Sequence, residues 1–158
     1  LTTPLLSRFL RLLRAGSEDY AHELRQRIEA MCGGVTPETW SFTINPEQAT
    51  AVHAALERGE EVRLSHLQHA PIDRHQSLPC IALLLNRGEK NYMLPEAGLA
   101  LRAGDRILFT ACVGTRQVMN SILYNPKALE YVVTGNDLPD GSIWRWLASR
   151  RDRDKVFP

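Results

Sequence analysis

The sequence predicts an α+β fold, in which a small mixed or antiparallel β-sheet is flanked by helices and preceded by an N-terminal helical hairpin. Three observations lead to this prediction. Apolar residues recur at helical spacing up to residue 31, they alternate or run continuously in short segments between residues 39 and 113, and helical spacing returns afterwards. Strands and helices that do not alternate regularly are typical of the α+β class.

The composition is that of an ordinary globular protein. Of the 158 residues, 44% are hydrophobic and 23% are charged, and the formal net charge is +1. A charge so close to neutral gives no overall field for nucleic acid, and no stretch interleaves aromatic residues with a basic stripe, so nucleic-acid binding is disfavoured. No apolar run approaches the roughly 20 residues that span a bilayer.

The three cysteines, Cys32, Cys80 and Cys112, are too few and too scattered to predict a disulfide framework. We expect them to be reduced thiols in a cytosolic setting, and mostly small core residues, because Cys80 and Cys112 lie in apolar runs. None has the electropositive neighbours that activate a nucleophilic thiol.

Residues 1–34 are predicted to form the helical hairpin, for which the family resemblance described below implies a role as a linking or dimerisation element. Thr3 is a candidate cap for the first helix, Pro4 suits its first position, and Gly16 ends it. Gly33–Gly34 ends the second helix. The apolar faces consist of Leu5, Leu6, Phe9, Leu10 and Leu13 in the first helix and of Tyr20, Leu24, Ile28 and Met31 in the second.

Arginines recur at spacing three on the polar side of the first helix, at Arg8, Arg11 and Arg14. A basic amphipathic helix can lie on an anionic membrane surface. The helix is only about three turns long, and amphipathic helices usually bury their apolar face, so we favour packing within the chain or between subunits. A stripe left exposed would favour a homodimer.

Residues 35–135 are predicted to form the α+β domain, which begins with a strand. Apolar and polar residues alternate in "TWSFTIN", residues 39–45, as in a half-buried strand. Asn45 then suits the N-cap of a helix, with Pro46 at its first position and a glutamine at its third, and Gly59 closes that helix.

The middle of this domain is predicted to contain strands joined by polar turns. We predict a strand in residues 61–67 and a polar loop in residues 68–77. Residues 78–86 are continuously apolar, which is typical of a strand covered on both faces. The sequence "RGEK" then predicts a hairpin turn into a short strand over residues 91–95.

The clearest turn lies at Gly104 and Asp105, directly before the apolar strand of residues 106–113. Glycine permits backbone angles that a side chain would resist, and the carboxylate of an aspartate can accept hydrogen bonds from nearby backbone amides. Both residues are therefore assigned a structural role in a tight turn, and Ile107 to Phe109 are expected to be buried in the strand that follows.

The end of the chain returns to helical spacing. Residues 114–124 predict a helix with Val118 and Ile122 facing inward, stopped by the Asn-Pro pair that follows. Residues 128–133 fit either a helix or a strand. Residues 136–158 are assigned as a C-terminal tail that contains a short helix.

Residues 83–113 resemble the C-terminal domain of the regulators of potassium conductance, the RCK or TrkA C-terminal family. The pattern is a strand ending in Arg and Gly, a turn, a short strand with a proline, a gap, and then Gly-Asp before an apolar strand. The matching residues are Arg87, Gly88, Pro95, Leu101, Gly104, Asp105, Ile107 and Leu108.

The resemblance implies a cytoplasmic regulatory, ligand-sensing domain of a potassium channel or cation transport system, at the cytoplasmic side of a bacterial inner membrane. It implies a homodimer or higher homo-oligomer coupled to a membrane-embedded pore or transporter portion of the same or a partner chain. In this family a Rossmann-type subdomain that binds NAD or another nucleotide precedes the module, so no cofactor is expected within this chain. The chain begins at Leu, in what resembles a helix, and we expect it to have been cut from a longer polypeptide.

The most concentrated polar group lies between positions 66 and 75 and supplies the candidate ligand-binding residues, His66, His69, Asp73, Arg74 and His75. Imidazole and carboxylate groups can bind a divalent metal, and a histidine can sense pH, although the spacing matches no established metal motif. Arg74 with a neighbouring histidine suits an anion, and some members of the resembled family bind cyclic dinucleotides or ions at a dimer interface. A partly exposed loop with scattered histidines explains the group equally well.

No catalytic constellation is visible in the sequence. Ser65 and His66 are neighbours in the chain, which does not make a triad, and the sequence has neither a G-x-G-x-x-G nor a Walker-type loop. We therefore expect no enzymatic activity. The alternative is a soluble small-molecule-binding module, or a fragment of an enzyme, unrelated to transport.

Overall fold

A computed structural model describes residues 4–135 and has the predicted α+β architecture. The predicted cap Thr3 and the tail of residues 136–158 lie outside the described residues. In chain order the elements are α1 (Pro4–Ala15), α2 (Glu18–Cys32), β1 (Glu38–Thr43), α3 (Thr50–Glu57), α4 (Leu64–Leu67), β2 (His69–Ala70), β3 (Asp73–Ser77), β4 (Cys80–Arg87), β5 (Lys90–Met93), β6 (Arg106–Ala111), α5 (Thr115–Tyr124) and α6 (Pro126–Thr134).

The main sheet is antiparallel throughout, with the strand order β1–β6–β4–β5, and β2 pairs with β3 in a separate two-stranded sheet. Both faces of the main sheet are covered. One face packs on α3 to α6 around the stacked rings of Trp40, Phe42 and Phe109. The other face holds the helical hairpin, whose Leu5, Phe9 and Leu24 pack on Ile81, Leu83, Leu84 and Leu108.

A β-bulge explains why β4 is apolar at consecutive positions. Ala82 pairs with Phe109 and Leu84 with Leu108, so Leu83 is an extra residue in the ladder. Leu83 and Leu84 therefore both pack against the hairpin, while Ala82 belongs to the opposite core. The prediction of a strand buried on both faces is confirmed.

The predicted turn before β6 is also confirmed. Gly104 has a φ of 88°, a conformation that only glycine adopts without strain. The N–H of Gly104 donates to the carbonyl of Ile44 at 2.8 Å, and the N–H of Ile44 donates to the carbonyl of Asp105 at 2.8 Å. These bonds fasten the turn to the end of β1, and Ile107 to Phe109 are each 0% exposed in β6.

The side chain of Asp105 is held by Arg87 from the end of β4. Nε and Nη2 of Arg87 donate to the two carboxylate oxygens, both at 2.8 Å, and Asp105 is 1% exposed. The N–H of Arg102 donates to the same carboxylate, and Nη2 of Arg87 also donates to the carbonyl of Ala100 at 2.9 Å. The hydrogen bond with Asp105 raises the pKa of the Arg87 guanidinium, which therefore stays charged.

Two predictions for the middle of the chain are wrong. Residues 61–67 form no strand beyond a bridge of Arg63 with Ala100, because Leu64 and Leu67 are buried on one side of the single helical turn α4. Residues 68–77 are not a loop, since they contain the hairpin of β2 and β3. The largely polar and exposed side chains of β3 gave no apolar alternation to indicate a strand.

The prediction that Asn45 is the N-cap of a helix with Pro46 at its first position is wrong, because the helix α3 has Ala49 as its N-cap and is shorter than predicted. Oδ1 of Asn45 accepts from the N–H groups of Glu47 and Gln48 at 3.0 and 2.7 Å. These bonds hold a turn, and the regular helix α3 begins only at Thr50.

The helices after β6 also differ in detail from the prediction. Met119, rather than Val118, joins Ile122 as a fully buried residue of α5, and Val118 is half-buried. Asn125 is also the N-cap of α6, because its side chain accepts hydrogen bonds from the backbone N–H groups of Lys127 and Ala128. Residues 128–133, for which the sequence fitted either a helix or a strand, are therefore part of the helix α6.

The expectation of reduced cysteines is wrong for two of the three residues. Cys32 and Cys112 form a disulfide between the last residue of α2 and the residue after β6, across a sequence separation of 80. Only the folded topology brings them together, since neither residue lies in a recognisable cysteine motif. Cys80 is free, and its burial raises the pKa of its thiol to about 12.

We expect the variant Arg87→Ala to lose roughly 3–5 kcal/mol of unfolding free energy, because it leaves a buried carboxylate without its counter-charge. Urea unfolding at neutral pH measures this loss. The matched control is Arg63→Ala, which removes an exposed pair with Glu61 and is expected to cost less than about 1 kcal/mol. Equal effects of the two variants would contradict the role given to Arg87.

Candidate functional site

The candidate ligand residues fall on two adjoining elements. His66 lies on α4, His69 begins β2, and Asp73, Arg74 and His75 begin β3. The structure brings His69, Arg74 and Arg63 each within electrostatic reach of His66. We call these four residues the basic cluster.

Both histidines of the basic cluster use Nδ1 in hydrogen bonds with the backbone. Nδ1 of His66 accepts from the N–H of Arg63 at 2.9 Å, so the neutral imidazole carries its proton on Nε2. Nδ1 of His69 lies 2.5 Å from the carbonyl of Ser65 and must donate to it, which leaves Nε2 of His69 as an acceptor. The pair therefore offers one fixed donor and one fixed acceptor.

The pKa of His66 lies below its ordinary value of 6.5. The main cause is burial, which disfavours the charged imidazole, and the positive charges of Arg63, His69 and Arg74 add to it, while Glu61 opposes them. His66 is thus neutral at neutral pH, and the arginine charges beside it are those of Arg74 and of Arg63, whose guanidinium is paired with Glu61.

This arrangement does not suit a metal ion. A metal needs a free lone pair on each imidazole, and the neutral tautomer of His66 has none on its outward nitrogen. Among residues 4–135, no group of three or more His, Cys, Asp or Glu side chains is placed to hold a metal. The geometry favours an anionic ligand with hydrogen-bonding groups.

Arg74 also has a structural role at the end of α6. Its Nη2 donates to the carbonyl of Val133 at 3.5 Å, and its backbone N–H donates to the hydroxyl of Tyr131 at 3.3 Å. A guanidinium at a helix C-terminus is favourable because unpaired carbonyls collect negative partial charge there. Gly135 ends the helix at a φ of 81°, and a Cβ on it would clash with Nη1 of Arg74.

Asp73 and His75 contribute to the hairpin rather than to the basic cluster. Oδ1 of Asp73 accepts from the N–H of His75 at 3.1 Å, a local bond typical of turns. The side chain of His75 is exposed. The sequence pattern included three residues of the basic cluster, His66, His69 and Arg74, but it missed Arg63, whose place beside His66 depends on the turn of α4.

Two cavities lie outside the basic cluster, and the sequence indicated neither. An open cleft of about 410 Å³ lies between α1 and the β4–β5 turn, and it is lined by Arg8, Arg11, Leu12, Gly88, Glu89 and Asn91. A smaller cavity of about 190 Å³ lies beside Arg27, Gln68 and Cys80. The arginine stripe of α1 thus borders a cleft, while the apolar stripe packs on the sheet of the same chain.

No protein-family model matches the sequence, and a search of curated proteins found no match. Within residues 4–135, none of the helices combines the length and the apolar character needed to cross a membrane.

We expect acid to destabilise the protein through His66. Because the folded-state pKa of His66 is lowered, the unfolded chain binds this proton more readily. The contribution of His66 is therefore complete above the unfolded pKa, and its loss begins as the pH falls below that value and ends below the lowered folded pKa. Urea midpoints between about pH 8 and pH 5 measure the effect.

The variant His66→Asn keeps an acceptor for Arg63 and removes the titrating group, so its acid-induced loss should be smaller than that of the wild type. His75→Asn is the matched control, because it removes an exposed histidine from the adjoining hairpin. An unchanged pH profile in His66→Asn would refute the assignment.

The variant Gly135→Ala should destabilise the chain by about 1–3 kcal/mol, because it combines a strained φ with a clash against Arg74. Gly59→Ala is the control, since Gly59 has a φ of 82° but nothing within 4 Å of an added Cβ. Thermal melting of both variants separates the two effects. Equal losses would show that the contact with Arg74 is unimportant.

Proposed function

We propose that this chain is a non-catalytic regulatory domain of a potassium channel or cation transport system, acting at the cytoplasmic face of the membrane through ligand-dependent rearrangement of its subunits. The observation that carries the proposal is the pairing of Arg87 with Asp105. The two residues come from the two ends of the sequence pattern on which the family resemblance rests, and in the folded sheet they form one buried unit.

The basic cluster is the proposed sensor. It offers a donor on His66, an acceptor on His69 and the guanidinium groups of Arg63 and Arg74, which suits a small anionic ligand with hydroxyl or amide groups. The cluster lies where α4, the β2–β3 hairpin and the end of α6 meet. A ligand bound there would favour one arrangement of these elements, and its differential affinity for two arrangements would shift the regulated equilibrium.

A second copy of the chain is the proposed partner of the domain. The apolar stripe of α1 no longer argues for it, because Leu5 and Phe9 pack on the sheet of the same chain. The support comes from the family resemblance.

The second candidate is a small-molecule-binding module unrelated to transport. The open cleft beside Arg8 and Arg11 favours it, since its volume of about 410 Å³ is within the usual range of ligand sites. The coding sequence before Leu1 distinguishes the two. Apolar spans followed by a G-x-G-x-x-G unit support the transport role, and a catalytic domain supports the alternative.

We expect cyclic dinucleotides or mononucleotides to raise the melting temperature of the chain, because a ligand that binds only the folded state stabilises it by about 2.7 kcal/mol at 100 times its dissociation constant. The variant His69→Ala should remove the shift, whereas Arg8→Ala, at the separate cleft, should keep it. A shift lost only in Arg8→Ala would support the alternative function.

Light scattering at micromolar concentration should show a dimer of the isolated chain. A clean monomer, together with no thermal shift by nucleotides, would overturn the proposed function.

A further inference from the structure

The helical hairpin is tied to the sheet by two different kinds of contact. From α1, Leu5 and Phe9 are almost fully buried on the sheet, at 1% and 3% exposed. From α2, Leu24 is buried, but Ile28 and Met31, near the C-terminal end, are only half-buried. The apolar contacts therefore hold α1 more firmly than they hold the last turn of α2.

The disulfide between Cys32 and Cys112 lies at this weakly packed end. Cys32 is the last residue of α2, and the exposed pair Gly33–Gly34 follows it at once. Gly33 has a φ of 63°, which closes the helix and begins the linker to β1. Cys112 follows β6, in the middle of the sheet. The bond thus joins the C-terminal end of α2 to the residue that follows the inner strand β6.

We propose that the Cys32–Cys112 disulfide is a reversible redox latch that fixes the C-terminal turn of α2 to the sheet when oxidised and releases it when reduced. The glycines beside Cys32 lower the effective concentration of one thiol at the other in the reduced state, because the chain there has many conformations to lose. A disulfide that orders a mobile and accessible segment is easier to reduce than one in a rigid core.

Glutathione supplies the chemistry of the latch. A glutathione thiolate attacks one sulfur, which forms a mixed disulfide and expels the other cysteine as a thiolate that takes up a proton. A second glutathione thiolate attacks the mixed disulfide, releases the remaining thiol and leaves as glutathione disulfide. Two electrons and two protons enter the protein, and the reverse reaction restores the bond with glutathione disulfide as the oxidant.

The surroundings of the bond allow this exchange. Both half-cystines are half-buried, and each is followed by exposed residues, Gly33 after Cys32 and Val113, at 64% exposed, after Cys112. Cys80 lies on the neighbouring strand, but burial raises its thiol pKa to about 12, so it carries almost no thiolate at neutral pH and does not compete.

In the reduced state only a weak contact would replace the covalent bond at this point. The sulfur of Cys112 lies 3.3 Å from the carbonyl of Met31, in the last turn of α2, and a thiol S–H is a weak hydrogen-bond donor. The large core on the opposite face of the sheet contains neither half-cystine. Reduction is therefore expected to loosen the end of α2 and the linker while the sheet stays folded.

The experiment is a redox titration of the 158-residue chain in glutathione buffers, with thiols counted by alkylation and mass spectrometry, and with hydrogen exchange followed in the same samples. We expect the Cys32–Cys112 bond to be reduced reversibly within the range that glutathione can buffer. On reduction, amide exchange in residues 28–37 should rise by about tenfold or more, and exchange in β4 and β6 should stay unchanged.

Cys32→Ser and Cys112→Ser should each show the fast-exchange pattern at every glutathione ratio, and Cys80→Ser should titrate like the wild type. The wild type in reduced glutathione gives the same information if a serine variant fails to fold. A bond that is reduced only in unfolded protein, that opens without any change in exchange, that never forms, or that unfolds the sheet on opening would overturn the latch.

The latch rests on the disulfide and the packing of the hairpin, and it does not require the proposed transport function. If the redox titration gives the expected result and the nucleotide screen finds no ligand, the latch is supported and the transport function is not. If a nucleotide binds and the disulfide does not open as expected, the function is supported and the latch is rejected.

Discussion

The carboxylate of Asp105 is buried at 1% exposed, and the guanidinium of Arg87 balances its charge. A buried carboxylate without such a partner would lower the free energy of unfolding by several kcal/mol. The fold must therefore keep Arg87 and Asp105 together. The pair fixes the end of β4 against the start of β6, and the turn at Gly104 is bonded in turn to the end of β1. Three of the four strands of the main sheet thus meet at one charged contact.

The helices on the two faces of that sheet differ in how extensively they pack against it. The face toward α3 to α6 carries the larger core, with the stacked rings of Trp40, Phe42 and Phe109. The opposite face carries a smaller cluster and the covalent tie from Cys32 to Cys112. We therefore expect the C-terminal turn of α2 to move more readily than the helices on the other face. The basic cluster lies on that other face, beside α4 and α6. A signal between the two regions would have to cross the sheet.

The basic cluster shows how local sequence can indicate a site without defining it. Five polar residues between positions 66 and 75 marked the neighbourhood, yet Asp73 and Arg74 also serve the hairpin and the end of α6. Arg63 joins the cluster because α4 begins at the next residue and Nδ1 of His66 accepts a hydrogen bond from the backbone N–H of Arg63. The tautomers of His66 and His69, which decide that an anion suits the cluster better than a metal, follow from backbone bonds that no sequence pattern displays.

The sequence by itself determined the α+β class, the helical hairpin, the buried strands β4 and β6 and the turn at Gly104 and Asp105, because each depends on apolar spacing or on the backbone preferences of residues close in the chain. It did not determine the ion pair of Arg87 with Asp105, the disulfide across 80 positions or the hairpin of β2 and β3. Those features depend on residues brought together by the register and bulge of the sheet, which are set by long-range pairing and not by local pattern.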